Sequence, residues 1–325
     1  MICLGIESTA HTLGIGICKD GKILSNAHDI YKPKIEGIVP RKAADHHAEV
    51  FLQMFFQALE EAKISPEQID LFAFAQGPGI GACLSTGITA AKSLAQKYRK
   101  PLIGVNHPYA HIKIAEKFTS LKDPLILYVS GGNTQILSEE KGQLQILGET
   151  LDIGLGNLFD SFARATKVSY AHGSTLEKIA KGGRYIELPY TVKGVNLSFT
   201  GLQTASIRAL SNHALEDVTY SLMETAFSEC CEAVERALFL KNKKSILICG
   251  GVAQNRRLQE MLSAIAKEDN VLFGVAPDEY NRDNGAMIAY TGEQLYLKYG
   301  TKPLDSWKIE PFQRVDSKSL FPNVK

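Results

Sequence analysis

The feature that most limits how this chain can fold is a plan used twice. The apolar run 2-ICLGIE-7 is followed by the small polar turn 8-STAHT-12 and the alternating run 13-LGIGIC-18, and the turn 19-KDGK-22 then leads into a third run over about 23–27. The same order recurs later as 125-LILYV-129, 130-SGGNT-134, 135-QILSEE-140, 141-KGQ-143 and 144-LQILGE-149. Short apolar runs with period-two alternation, separated by glycine and small polar residues, predict strands in a meander. The later parts of the two halves also correspond. In the first, 71-LFAFA-75 enters 76-QGPGIG-81 and a helical segment; in the second, 245-SILIC-249 enters 250-GGVAQN-255 and the helical 256-RRLQEMLSAIAK-267. Strand, glycine turn and helix is a layout that can hold phosphate at a helix N-terminus. A single such turn is common in α/β proteins, whereas a duplicated one indicates a repeat.

Two related α/β halves predict two lobes around a cleft, with the turns 8–12 and 130–134 facing each other across it. This plan resembles the superfamily of actin, hexokinase and the heat-shock chaperone ATPases (the ASKHA fold), in which such hairpin turns hold nucleotide phosphates. The boundary is expected near Lys122-Asp123-Pro124, giving a lobe over 1–122 with both histidines of the H-x-x-x-H motif and a lobe over 123–325 with the nucleotide site. Between 41 and 62, Ala44, Ala48, Phe51, Leu52, Phe55, Phe56 and Leu59 recur at helical spacing and predict a core-facing stripe. The segment from about 301, with three prolines and Trp307, is expected to be extended and weakly structured, packing back or leading into a linker.

Composition sets outer bounds. Hydrophobic residues at 45% and charged residues at 22% suit a globular protein, and a net charge of +1 gives no global field toward nucleic acid or membrane. The six cysteines contain no C-x-x-C pair and most lie in apolar runs, so buried free thiols are expected rather than disulfides or a thiolate metal site. MICLGIES has no basic lead, and the longest uncharged run, 71–91, is broken by Gly77-Pro78-Gly79. Neither a signal peptide nor a membrane span is expected, and a cytoplasmic setting fits.

Within 104-GVNHPYAHIK-113, His107 and His111 are four residues apart after a strand-like run. Asn106 can cap a helix there and Pro108 is tolerated in its first turn. Both imidazoles then share one helical face and can reach one ion, or can be satisfied by neighbouring groups. A zinc protease of the H-E-x-x-H type needs a glutamate directly after the first histidine, and Pro108 stands there instead. A further ligand would have to come from elsewhere. Asp283, just ahead of a helical run, is either a ligand or an N-cap. Tyr128 is either a ligand or a buried tyrosine.

Taken together, 5-GIESTAHTLGIGI-17, 75-AQGPGIGACLSTG-87, 106-NHPYAH-111, 128-YVSGGNTQ-135, 147-LGETLDIGLGNLFDSFAR-164, 197-LSFTGL-202, 250-GGVAQN-255 and 282-RDNGAMIA-289 resemble one family. It is the universal tRNA threonylcarbamoyladenosine transferase in its archaeal and eukaryotic form, the catalytic subunit of the KEOPS complex, once labelled an O-sialoglycoprotein endopeptidase. The resemblance implies iron or zinc bound by His107, His111, Tyr128 and Asp283. It implies an ATP- or AMP-type ligand, or threonylcarbamoyl-AMP, at Tyr128, Val129, Ser130, Gly131 and Gly132, whose backbone N–H groups would meet phosphate. Asp160 and Glu177 would accept from ribose hydroxyls, Asn255 and the backbone at Gly173 would hold the adenine side, and Glu7, Ser8 and Thr9 would face the substrate. The chain departs from the family pattern at 172-HGST-175, where H-P-G-G is usual, at Ser161, where lysine is common, and at Arg282, where threonine is.

The implied reaction transfers the threonylcarbamoyl group from its adenylate to N6 of the adenosine at position 37, beside the anticodon of ANN-decoding tRNAs, with release of AMP. The implied partners are tRNA, an atypical kinase/ATPase subunit that is fused to the chain in some archaeal relatives, a small dimerising subunit and an accessory subunit. A charge of +1 predicts weak tRNA binding by the chain alone. The competing readings are an ATP-dependent kinase or ATPase of the same fold and a non-catalytic nucleotide-binding scaffold. Neither has a use for the histidine pair.

Overall fold

The computed structural model describes residues 1–32, 37–168, 173–317 and 320–321. In chain order, the first elements are β1 (Ile2–Glu7), β2 (Thr12–Lys19), β3 (Lys22–Ile30), α1 (Pro40–Ala62), β4 (Leu71–Gly77), α2 (Gly81–Tyr98), β5 (Leu102–Asn106) and α3 (His107–Thr119). There follow β6 (Leu125–Val129), β7 (Thr134–Glu140), β8 (Gln143–Glu149), α4 (Leu155–Ala165) and α5 (Gly173–Ala180). After a two-residue hairpin, β9 (Val192–Lys193) with β10 (Asn196–Leu197), come α6 (Thr200–Ala209) and α7 (Leu215–Lys241). The chain ends through β11 (Ser245–Cys249), α8 (Arg256–Glu268), β12 (Leu272–Val275), α9 (Asp278–Asn281) and α10 (Gly285–Tyr299).

The two five-stranded sheets have corresponding orders, β3-β2-β1-β4-β5 and β12-β11-β6-β7-β8. In each, the opening strand pairs antiparallel with the next and parallel with a strand reached through helices: β1 with β4, and β6 with β11. The repeat legible in the sequence is therefore a repeat of topology.

The chain forms two compact units, Met1–Ile114 with Arg282–Lys325, and Ala115–Asn281. This differs from a division at 122/123, because α10 belongs with the first sheet. A Cβ on Gly16 would lie 2.2 Å from the Ala286 nitrogen, and one on Gly5 would lie 2.1 Å from that of Ala289. Glycines in β1 and β2 thus admit a helix backbone made of glycine and alanine, and residues far apart in sequence share one core. The buried Glu293 of α10 ties this packing down by accepting from the backbone N–H groups of Asp20 (2.8 Å) and Gly21 (2.7 Å) in the β2–β3 turn.

Two expectations change. The buried face of α1 is Ala43, His47, Met54, Phe55, Ala58 and Leu59, while Leu52 and Phe56 are 64% and 60% exposed. The apolar stripe is broader than the face the helix buries, and polar His47 takes a place in the core by meeting the Ala10 carbonyl at 3.1 Å. The segment after Thr301 is not loose. Trp307, Gln313, Val315, Leu320 and Phe321 are all buried in the first unit. All six cysteines are free and buried, as expected.

Candidate functional site

In the first unit, β5 ends at Asn106, whose Oδ1 accepts from the Tyr109 backbone N–H at 3.0 Å and so caps α3. The first turn of α3 then carries His107 and, one turn on, His111; their rings lie 4.7 Å apart at 84°. Asp283 reaches both, with its Oδ1 3.4 Å from His107 Nε2 and 3.2 Å from His111 Nε2. The N-cap of α10 is Asn284, whose side chain accepts from Met287 N–H. The Asp283 carboxylate is therefore not the cap, and it faces the two histidines instead.

The donor atoms of His107, His111 and Asp283 all lie within 4.8 Å of one another. Two ligands at about 2.0–2.1 Å from an ion, at a tetrahedral angle, are about 3.3–3.4 Å apart, so the three side chains fit an iron or zinc ion. Behind His107 sits Glu7 at the end of β1, fully buried. Its Oε2 is 2.9 Å from His107 Nδ1, and its Oε1 accepts from Thr9 N–H (2.8 Å) and Thr9 Oγ1 (2.5 Å). A carboxylate on Nδ1 fixes the tautomer that leaves Nε2 for a metal.

The electrostatics follow from burial and these contacts. Burial disfavours the imidazolium of His107, but the carboxylates of Glu7 and Asp283 outweigh it and push its pKa up to about 10. His111 is lowered, with burial the main cause. Burial also opposes the Asp283 carboxylate, yet the charge and hydrogen bonds of the two histidines hold it well below the usual range. Ser8 and Thr9, expected beside Glu7 as substrate contacts, are 1% and 3% exposed. Ser8 Oγ is turned against α2, where a Cβ on Gly87 would come within 2.0 Å of it. Glu7 and Thr9 therefore buttress the histidine, and Ser8 packs against α2.

In the second unit, β6 delivers Tyr128 and Val129, both buried, into the turn at Ser130. Tyr128, expected as a fourth ligand, belongs to this unit; the three clustered donors belong to the first. The turn is closed by its own hydrogen bonds: Ser130 N–H donates to the Asn133 carbonyl at 2.8 Å, and Asn133 N–H to Ser130 Oγ at 3.2 Å. The start of α4 packs directly on it, Gly156 N–H donating to the Ser130 carbonyl and Asn157 N–H to that of Gly131. A Cβ on Gly156 would meet Gly131 Cα at 2.8 Å, whereas one on Gly132 would meet nothing within 4 Å. Ser130 N–H, expected to meet phosphate, is thus already used, and the exposed Gly131 and Gly132 carry the anion-binding reading.

Asn255 caps α8 by accepting from Leu258 N–H at 3.0 Å and donates from Nδ2 to Glu177 Oε1 at 2.6 Å. The structure therefore joins a residue expected at the ribose to one expected on the adenine side. Asp160 is half-buried on α4, and Gly173 opens α5, where a Cβ would touch Phe159. His172 of the H-G-S-T segment lies outside the described residues.

Sequence reasoning assigned no role to Gly156 or to Asp152. Asp152 accepts from the backbone N–H groups of Ile153, Phe199 and Thr200 and from Ser198 Oγ. Burial pushes its carboxyl up, but these hydrogen bonds hold it well below the usual range. It ties 197-LSFTGL-202 to 147-LGETLDIGLG-156, two stretches whose only signal in the sequence was the resemblance.

The profile of the family TsaD, tRNA N6-adenosine threonylcarbamoyltransferase, matches residues 22–290. The chain belongs to this family. The tRNA N6-adenosine threonylcarbamoyltransferase of Thermococcus gammatolerans is 50% identical over 300 residues, covering 91% of this chain and 92% of the relative. A Methanocaldococcus jannaschii protein named a probable bifunctional tRNA threonylcarbamoyladenosine biosynthesis protein is 47% identical over 319 residues, covering 97% of this chain but only 59% of its own length. Among solved structures, Thermococcus kodakarensis HypF matches with a TM-score of 0.65 at 16% identity over 91% of this chain and 48% of that one. The activator of 2-hydroxyisocaproyl-CoA dehydratase from Clostridium difficile with bound ADPNP matches with a TM-score of 0.53 at 14% identity, covering 93% of this chain and 99% of that one. These two share the fold, the two-sheeted α/β plan expected from the sequence. The chain is thus a transferase of threonylcarbamoyladenosine biosynthesis. None of its described helices is long and apolar enough to cross a membrane.

Proposed function

We propose that this chain transfers the threonylcarbamoyl group from threonylcarbamoyl-AMP to N6 of adenosine 37 in ANN-decoding tRNAs, as the catalytic subunit of a KEOPS-type assembly in the cytoplasm. The observation that carries the reading is the meeting of His107, His111 and Asp283, with Glu7 behind His107, in a member of this family.

His107, His111 and Asp283 would hold a divalent iron or zinc ion. When bound, such an ion supplies Lewis-acid polarisation of the acyl carbonyl and a fixed positive charge for phosphate or carboxylate oxygens. Glu7 keeps the Nδ1 proton of His107 in place, and Thr9 keeps Glu7 in place. In the second unit, the backbone N–H groups of Gly131 and Gly132 suit the adenylate phosphate, and Asp160 and Glu177 suit the ribose hydroxyls, with Asn255 orienting Glu177. Adenine N6 is a weak nucleophile, so placement and charge stabilisation carry the rate.

The relatives named bifunctional extend well beyond the part matched here, which supports a kinase/ATPase partner for this chain. The near-neutral charge of this chain supports a tRNA surface shared with that subunit, the small dimerising subunit and the accessory subunit. The test is threonylcarbamoyl transfer to tRNA by the purified chain with its partners. A His107→Ala, His111→Ala double change should abolish transfer while circular dichroism stays unchanged, and Tyr128→Phe tests the tyrosine as a further ligand. Undiminished transfer by the double variant would overturn the reading.

A further inference from the structure

The glycine turn 76-QGPGIG-81 has the layout of a phosphate cradle, but in the first unit the chain's own C-terminal segment fills it. Glu310 N–H donates to the Gln76 carbonyl at 2.8 Å, Gln76 Nε2 donates to the Lys308 carbonyl at 2.9 Å, and Gly79 N–H donates to the Pro311 carbonyl at 3.1 Å. Gly77, at φ +154°, sits so close to this segment that a Cβ would fall 1.9 Å from the Glu310 carbonyl oxygen. Upstream, Trp307 covers β5, where a Cβ on Gly104 would be 2.7 Å from the indole. The segment thus runs across the carboxyl ends of β4 and β5, the edge at which open α/β sheets otherwise receive ligands.

A further buried contact reaches α3, the helix that carries the two histidines. Asn106 is 3% and Gln313 6% exposed, and Asn106 Nδ2 donates to Gln313 Oε1 at 3.0 Å. The orientation of both amides is determined by the cap. Asn106 Oδ1 must face the Tyr109 N–H, so Nδ2 faces Gln313, which must present its oxygen. We propose that residues 307–313 form an intramolecular latch and that Gln313 is a positioning residue, holding Asn106 in its capping rotamer so that α3 presents His107 and His111 pre-ordered for metal. The proposal rests on the metal reading above and adds to it the device that keeps the histidines in place. Without the Gln313 oxygen, the buried Asn106 amide has to turn toward another acceptor, which releases the cap. Metal binding must then re-order the first turn of α3, and affinity falls.

The test uses the purified full chain, Zn²⁺ as probe metal in chelator competition, and hydrogen exchange at the Tyr109 amide. Gln313→Met keeps the shape and loses the acceptor; it should weaken Zn²⁺ binding about tenfold and speed Tyr109 exchange. Gln313→Glu keeps an acceptor and should restore both to within about threefold of wild type. Phe312→Ala, at a neighbouring position that is 94% exposed, should change neither. Wild-type affinity in Gln313→Met overturns the latch. So does weakened affinity with exchange accelerated equally over β1, β2 and α10, which would mark a general loss of stability. Should wild type take up no Zn²⁺, the metal reading fails separately and Tyr109 exchange alone decides the latch, with unchanged exchange in Gln313→Met overturning it.

Discussion

Glu7→Gln alters one atom and tests the chemistry of the first-unit site. The two Thr9 donors hold Oε1 at 2.8 and 2.5 Å, so the amide oxygen of a glutamine stays on their side and its NH₂ faces His107 Nδ1. The neutral imidazole, the form that ligates a metal, must then accept at Nδ1, which places its single proton on Nε2, the nitrogen aimed at Asp283 3.4 Å away. A protonated Nε2 cannot ligate. The reverse amide orientation restores the Nδ1 partner but sets NH₂ against Thr9 N–H, leaving a buried donor unsatisfied at about 1–3 kcal/mol. Loss of an outer partner of a ligating histidine costs about ten- to a hundredfold in metal affinity, or about 1.4–2.7 kcal/mol, which the about 1–3 kcal/mol of the reverse orientation spans. Chelator competition with Zn²⁺ measures the affinity, and long-range ¹⁵N–¹H correlations of the imidazole report the tautomer. A variant that binds Zn²⁺ within twofold of wild type, with the Nδ1–H tautomer retained, would refute the reasoning.

Four further outcomes are expected. His107 titrates near 10 in the metal-free chain, so a proton must leave Nε2 before it can ligate. Zn²⁺ affinity should therefore rise about tenfold per pH unit from pH 7 to 9 and level off above about 10, as read by chelator competition across pH. The same raised pKa stabilises the metal-free fold fully below about 6.5 and progressively less as pH rises through about 10, which thermal unfolding measures. In the second unit, Gly156→Ala should destabilise by about 1–3 kcal/mol and weaken nucleotide binding at least about tenfold, because its Cβ would press on Gly131. Gly132→Ala, with nothing within 4 Å, should leave stability within about 0.5 kcal/mol; calorimetry with an ATP analogue and thermal unfolding separate the two.

The sheets were legible because strand period and turn chemistry are local, and the two copies reinforced each other. The spacing of His107 and His111 was legible for the same reason, as was the cap at Asn106. Asp283 was not decided by sequence, since its neighbour Asn284 can also cap; which of the two does so is fixed where α10 meets β1 and β2. The role of Glu7 was hidden because its partner is a hundred residues away. The stripe on α1 was overread because periodicity shows that a face is apolar, not that something covers it. The glycine turn at 76–81 looked like its counterpart at 250–255, yet one receives the chain's own backbone at Glu310. Only long-range packing distinguishes them.

The discontinuity of the first unit bears on how the protein is made. Residues 115–281 form an uninterrupted unit, and a growing chain can complete it as soon as that stretch has been synthesised. The first sheet must wait for α10, whose backbone fits against Gly5 and Gly16, and Asp283 arrives at the head of that same helix. Sheet closure and the meeting of His107, His111 and Asp283 are thus one late event. A chain interrupted before 282 would display His107, His111 and Glu7 without Asp283, so the complete three-donor cluster marks a chain whose first unit has closed.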